Sequence, residues 1–300
     1  MKWGVITLYL LSIAFLHFRG RVRLPMLRQF FDHSSIMAPI NLFMYAFSGV
    51  PRRTPYFALS NFGELQLLQD NWETIRAEAL HLTSLQKIRA AQKNDDAGFN
   101  SFFKNGWKRF YLKWYDASHP SAEELCPKTV ALLRQLPSVK AAMFAELGPD
   151  GKLNPHRDPF AGSLRYHLGL VTPNSDDCRI YIDGEVYSWR DGQDVLFDET
   201  FIHSAENKTD VTRIILFCDV ERPLRTRWMA AFNRWVSRNI IRASATQNVE
   251  TEQVGTFNRI YALLGHGSDF LTRLKRKNRT MFRAVKYALI AGLVYWIFVA

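Results

Sequence analysis

Between Ser163 and Asp219 the chain reads as a succession of short strands with no helical stretch between them. Residues 163–171, 178–182, 194–198 and 211–219 are rich in β-branched and aromatic side chains. Turn residues such as Asn174-Ser175-Asp176-Asp177 and Asp183-Gly184 separate them. Many short antiparallel strands without crossover helices predict a mainly-β domain, a double-stranded β-helix of the jelly-roll, cupin-like kind, with flanking helices. Residues 64–91 have helical periodicity through Leu65, Leu68, Trp72, Ile75, Ala79 and Leu82, which predicts a helix packed outside the sheet. Ser121-Ala122-Glu123-Glu124 after Pro120 fits a capping box opening a second helix that ends near Pro137. No repeat or low-complexity tract interrupts residues 37–224, so one domain is expected there.

Three side chains in this frame point to chemistry. His156 and Asp158 lie in Asn154-Pro155-His156-Arg157-Asp158-Pro159, and His203 follows in Thr200-Phe201-Ile202-His203. Side chains alternate along a strand, so His156 and Asp158 at a strand end would share one side. Two imidazoles and one carboxylate on one face of a metal leave the other face open, which is the ligand set non-heme Fe(II) oxygenases use. Arg213, ten residues past His203, falls in an apolar strand, where a buried cation would pair with the distal carboxylate of 2-oxoglutarate. Strand parity also puts Arg165 and His167 on one face, opposite Leu164, Leu168 and Leu170.

The run Arg165-Tyr166-His167-Leu168-Gly169-Leu170, the upstream His156 and Phe197-Asp198-Glu199-Thr200-Phe201-Ile202-His203 resemble the aspartyl/asparaginyl β-hydroxylase family. Together with Gly98–Lys104 and Trp107–Tyr111, the likeness runs closest to the bacterial lipid A 2-hydroxylases of that family, over residues 38–224. The resemblance implies an Fe(II)/2-oxoglutarate dioxygenase, with O2 as co-substrate, acting on C2 of a secondary acyl chain of lipid A. It implies His156, Asp158 and His203 as iron ligands, and Arg213, Arg165 and His167 as 2-oxoglutarate contacts. Animal peptidyl hydroxylases of the family lack the acidic ligand, so Asp158 is a departure from them. Hydroxylation of another acyl lipid such as an ornithine lipid, or of peptidyl Asp/Asn, is the alternative, and a non-catalytic cupin-like membrane sensor stands behind both.

Charge is distributed in a way that asks for a membrane. The net charge is +11, yet residues 37–221 carry 20 Lys/Arg against 24 Asp/Glu, so the basic excess lies wholly in the flanks. Uncharged stretches at Trp3–Phe18 and Tyr287–Ala300 adjoin these basic runs. Both fall short of the ~20 residues of a comfortable span. The expected organisation is a membrane segment at 1–18, a basic juxtamembrane stretch at 19–36, the catalytic domain at 37–224, a basic amphipathic helical region at 225–282 and a second membrane segment at 283–300. Basic flanks on the inside would place the catalytic domain on the cytoplasmic side of a bacterial inner membrane. In residues 225–246, Trp228, Phe232, Trp235, Val236 and Ile240 gather near one helical face and Arg227, Arg234, Arg238 and Arg242 near another. Such a helix either lies among lipid headgroups or packs on the barrel with a solvated basic face.

In residues 107–115, cations alternate with aromatics. The acidic balance of the central domain argues against a nucleic-acid groove, so Arg109 and Lys108 are expected to meet phosphate groups of a glycolipid, or else to belong to an inert strand. Cys126, Cys178 and Cys218 show no metal spacing and are expected as reduced thiols.

Overall fold

The computed structural model describes residues 2–91, 96–263, 277, 278 and 280–282. The chain begins with α1 (Lys2–Phe18), α2 (Met26–Phe31) and α3 (Ala38–Ala46), then a two-residue strand β1 (Tyr56–Phe57). Helices α4 (Gln66–Asp70), α5 (Trp72–Ser84) and α6 (Asn100–Phe103) lead to β2 (Trp107–Trp114), and α7 (Pro120–Leu125) and α8 (Pro127–Arg134) follow it. The remaining strands are β3 (Val139–Leu147), β4 (Lys152–His156), β5 (Ser163–Val171), β6 (Cys178–Ile182), β7 (Glu185–Ser188), β8 (Asp194–Phe197), β9 (His203–Asn207) and β10 (Arg213–Glu221), and helix α9 (Arg227–Asn239) follows them.

The strands form two antiparallel sheets, ordered β1-β8-β5-β10-β3-β2 and β4-β9-β6-β7. The large sheet is buried on both faces, and its alternation sorts side chains as the sequence predicts. Leu164, Leu168, Leu170, Ile214 and Leu216 pack in one cluster with Leu68 of α4, Ile75 and Leu82 of α5 and Leu133 of α8. Ile215 and Phe217 join the other cluster, which takes in Ile180, Trp189 and Ala205 from the small sheet and its surroundings. Each such apolar side chain stabilises the fold by about 1.5–3 kcal/mol when fully buried. The β6–β7 hairpin turns on Asp183 and Gly184, both with positive φ (52° and 88°), which suits Asp-Gly in a two-residue turn. At Gly169 a Cβ would meet the Arg190 carbonyl at 2.0 Å, so this strand end tolerates only glycine.

Several helical expectations are corrected. The helix predicted over 64–91 is a 3₁₀ turn at Leu59–Leu65 followed by α4 and α5, which ends at Ser84. The capping box does not form. Pro120 takes the first turn of α7, so Ser121 lies inside the helix, and its N–H and hydroxyl both donate to Glu252, at 3.0 and 2.6 Å. Pro127 then splits the predicted helix in two, since proline cannot supply the missing N–H. Helix α9 stops at Asn239 and continues as a 3₁₀ turn over Ile241–Ser244. It seats Met229, Asn233, Val236 and Ser237 on the domain, while Trp228 and Trp235 remain 58% and 55% exposed.

The N-terminal segments depart furthest from expectation. No helix among the described residues is long and apolar enough to cross a membrane. At 17 residues α1 is about 26 Å long, short of a ~30 Å hydrocarbon core. Its inner side buries Ser12, Ile13, Leu16 and His17, with Trp3, Val5, Leu11 and Phe18 turned outward. The basic juxtamembrane stretch expected after it is held on the domain at its start. Arg19 is buried, pairs with Asp198 and donates to Thr200 Oγ1 at 2.6 Å, and the N–H groups of Arg21 and Val22 donate to Asp183. Residues 12–22 therefore belong to the domain expected to start at 37. The second expected membrane segment, 283–300, lies outside the described residues.

Candidate metal centre

The site begins with an irregularity in β4. Leu153 pairs with Ala205 on β9, but the next pair is His156 with His203, so β4 carries one extra residue there. Pro155 sits in that bulge, where its lack of an N–H costs the ladder nothing. The extra residue restores the inward face after three positions. His156 thus stands directly across from His203, with ring centroids 4.2 Å apart. Strand parity predicts Asp158 on the same strand end as His156, but it lies past the end of β4. Its N–H is held by the Glu199 carbonyl at 3.0 Å, and this contact, not alternation, brings it to the histidines.

The three side chains offer one ligand atom each within 4.8 Å of one another. Asp158 Oδ1 is 3.7 Å from His156 Nε2 and 4.0 Å from His203 Nε2. The Nδ1 atoms of both rings face backbone carbonyls, His156 to Asn154 at 2.7 Å and His203 to Phe201 at 3.0 Å. A carbonyl can only accept, so each Nδ1 carries the proton and each Nε2 presents a lone pair to the centre. Burial holds His203 down to about 3, with His156 adding to the effect and Asp158 opposing it. His156 is lowered by burial too. Burial alone would raise Asp158, but Arg165, then His203 and His156, bring it to about 2. Two neutral imidazoles and an ionised carboxylate at neutral pH are the donor set for a divalent transition metal.

The same cavity is lined by Phe99, Phe102, Trp107, Trp189, Arg213 and His167 among others. Arg213 is 2% exposed, and its Nε and Nη2 have no hydrogen-bond partner among the described residues. Its guanidinium carbon lies 4.4 Å over the Trp189 ring. Burial lowers it to about 10, partly offset by Cys178 and Glu146, so it stays charged at neutral pH. His167 likewise has both ring nitrogens unpartnered, and burial followed by Arg165 and Arg213 drives it well below its ordinary value. An unpaired buried cation beside unsatisfied donors is costly, and a small anion in the cavity would relieve it. These orphaned groups fit a carboxylate of 2-oxoglutarate, as the three ligands fit a metal.

Arg165 also lines the cavity, and it pairs with Asp158, Glu199 and Asp219. Two other expected site residues are placed differently. Arg109 and Lys108 do not line the cavity. Arg109 is buried against Asp96 at 2.9 Å, and Lys108 reaches Glu146 at 2.7 Å, so neither is presented to a glycolipid phosphate at this centre. Trp107 of the same strand is what reaches the cavity. Trp189, Glu199 and Asp219 had no signal in the sequence, because their roles depend on partners far along the chain.

A model of the aspartyl/asparaginyl beta-hydroxylase family matches residues 69–223. The chain belongs to that family. It is 36% identical over 135 residues to an ornithine lipid ester-linked acyl 2-hydroxylase of Rhizobium tropici, a match covering 45% of this chain and 47% of that protein. It is 29% identical over 178 residues to the aspartyl/asparaginyl beta-hydroxylase of Mus musculus, covering 58% of this chain and 23% of the mouse protein. The matches thus span less than half the length of either relative. Among solved structures, a Pseudomonas putida prolyl-4-hydroxylase aligns over 51% of this chain and 88% of its own, at a TM-score of 0.36 and 17% identity. In this chain of the family, the His-Asp-His cluster lies in the cavity of a mainly-β, two-sheet fold.

Proposed function

We propose that the protein is an Fe(II)/2-oxoglutarate-dependent dioxygenase that hydroxylates C2 of an ester-linked acyl chain on a membrane lipid. The observation that carries the reading is the pairing, in one cavity, of the His156-Asp158-His203 cluster with a buried Arg213 whose Nε and Nη2 have no hydrogen-bond partner among the described residues. His156 Nε2, His203 Nε2 and Asp158 Oδ1 would hold the iron. Arg213 and His167 would bind and orient the co-substrate carboxylate, with Trp189 under the guanidinium. Bound Fe(II) with 2-oxoglutarate and O2 supplies the oxidising power to hydroxylate an unactivated C–H bond, with succinate and CO2 as the other products. Phe99, Phe102, Leu153 and Ile215 give the remaining wall an apolar character that suits an acyl chain and excludes water.

The resemblance in sequence points to the secondary acyl chain of lipid A, whereas the Rhizobium relative is named for an ornithine lipid. Mass spectrometry of cellular lipids, with the wild-type gene and with His203→Ala, separates them. The expected result is a hydroxyl-sized mass gain on one acyl lipid in the wild type alone. No lipid gaining that mass would contradict acyl hydroxylation and favour a peptidyl substrate or a sensor.

The working location is the cytoplasmic face of the bacterial inner membrane. Its supports are the basic excess of the flanks, the outward apolar side of α1, and exposed Trp228 and Trp235 on an arginine-rich helix.

Arg213→Ala should raise the KM for 2-oxoglutarate by about 30-fold or more, since truncating one side of a buried charge pair costs roughly 2–5 kcal/mol. Succinate formation against 2-oxoglutarate concentration measures it. An unchanged KM would remove Arg213 from the co-substrate site.

A further inference from the structure

We propose that α1, α2, the end of α3 and α9 form one face that docks in the plane of an anionic lipid bilayer, beside the loop that carries Asp158. The inference deepens the acyl-lipid reading and rests on it for the use to which the face is put.

The observation that carries it is an inside-out pattern in α2 and the turn after it. Gln29 of α2 is fully buried and donates to Ser35 Oγ at 3.0 Å, and Ser34 and Ser35 are buried with it. Leu27, Phe30 and Ile36 are 77%, 38% and 73% exposed. A helix packed on a core turns its apolar residues inward. Here polar groups hold the segment to the domain and the apolar ones are left for a surface other than water.

The neighbouring helices add to the same face. Leu11, Phe15 and Phe18 form one exposed stripe of α1, opposite the buried Ile13 and Leu16. On α9, Trp228 and Trp235 lie between the buried Met229 and Val236 and the face of Arg227, Arg234 and Arg238. A helix lying among headgroups has that order of core, aromatics and cations. These elements touch one another. α1 packs on α2 and α3, Phe15 meets Tyr45 of α3 with ring centroids 5.7 Å apart, and Phe47 at the end of α3 meets Trp228 edge-on at 4.8 Å.

Charge decides the occupant. Residues 1–31 hold five Lys/Arg and residues 222–249 hold six, with no Asp or Glu in either segment. A basic rim around apolar side chains complements anionic headgroups over an acyl interior. A second copy of the chain would bring arginine against arginine. One side of α1 is covered by the domain, so lipid meets only its other side, as in a helix lying in the interface. The face is also tied to the ligand loop. Arg157, between His156 and Asp158, donates to the Leu16 carbonyl at 2.9 Å. Asn41 of α3 donates to the Pro159 carbonyl at 2.7 Å and accepts from the Ala161 N–H at 2.9 Å. Docking would thus hold the Asp158 loop at the bilayer surface, within reach of a lipid acyl chain.

The test is the depth of nitroxide labels on the full chain bound to vesicles of phosphatidylethanolamine and phosphatidylglycerol. Labels are placed singly at Leu11→Cys, Leu27→Cys and Trp235→Cys, with Val186→Cys on β7 as the aqueous reference; the native cysteines are buried. The three labels should share a depth of about 5–10 Å below the headgroup boundary, seen as lost collision with an aqueous Ni(II) chelate and gained collision with oxygen. The label at Val186→Cys should stay open to the chelate. Should a labelled variant not fold, Arg227→Gln/Arg234→Gln/Arg242→Gln carries the test, with vesicle binding weakened on the order of 100-fold. Unchanged binding in that variant overturns the inference. So do labels that stay aqueous on vesicle-bound protein, which would put the attachment elsewhere in the chain. A depth that changes steadily between labels at Leu8→Cys and Phe18→Cys would make α1 a span, and spin–spin broadening without vesicles would make a second copy the occupant; either overturns it. No metal or turnover enters these measurements, so a chain that docks by this face yet hydroxylates no lipid would refute the proposed function alone.

Discussion

His203→Ala, His156→Ala and Asp158→Ala should each reduce the proposed lipid hydroxylation to background while leaving a folded protein. The two halves of this expectation have separate physical causes. Activity depends on three ligand atoms that lie within 4.8 Å of one another and come from β4, the turn after it and the start of β9. Removing one leaves a two-ligand site with weakened hold on the metal and no fixed open face. The fold does not depend on the same atoms. β9 is held by backbone pairing to β4 and β6 and by Ala205 in the core, all of which survive truncation of the His203 ring. For His203→Ala, metal-free stability should change by no more than about 1–2 kcal/mol, a few degrees in Tm for a domain of this size. Circular dichroism melts beside lipid mass spectrometry measure both halves. Substantial turnover in any of the three variants would contradict the assignment, and a collapsed fold would contradict the independence of fold and ligand atoms.

Asp198→Ala has the largest expected effect on stability. Asp198 is fully buried between Arg19 and Arg222, pairing with the first and lying 2.8 Å from Nη2 of the second. Burial works to raise its pKa, but the two guanidiniums overcome that and hold it well below the usual carboxylate range. Removing it strands two buried cations, and breaking such a pair costs about 3–5 kcal/mol. At roughly 2–4 °C per kcal/mol, Tm should fall by on the order of 10 °C. The same change releases the N-terminal arm, because Arg19 is its main grip on the loop leading to His203. Limited proteolysis after Arg19 or Arg21 should accelerate accordingly. An unchanged melt would mean that Arg19 does not hold the basic juxtamembrane stretch on the domain.

The sequence is legible where periodicity and local chemistry determine the structure. Period-two alternation sorts Leu164, Leu168 and Leu170 from Arg165 and His167, and Asp183-Gly184 marks its own turn because few residues accept positive φ. The ligand triad was legible because its residue types are scarce and chemically matched. Long-range charge pairing has no such signature. Nothing near Arg19 in the chain announces Asp198, and nothing near Arg109 reveals that Asp96 takes its charge. Basic residues beside an apolar run read as a membrane flank, yet the first of them is interior. The bulge at Pro155 is likewise invisible to a strict alternation rule, which is why Asp158 was expected on a strand it does not join. Ser121 shows a third limit. A capping pattern is local, and Glu252, far along the chain, takes over the bonds it would have made.

The central claim is most directly measured by succinate formation from 2-oxoglutarate by the purified full chain, with Fe(II) added and with a chelator. The account predicts succinate only when Fe(II) and O2 are present, raised by an acyl lipid substrate and absent in His156→Ala. Failure to form succinate under any of these conditions, or formation that persists in His156→Ala, would contradict it.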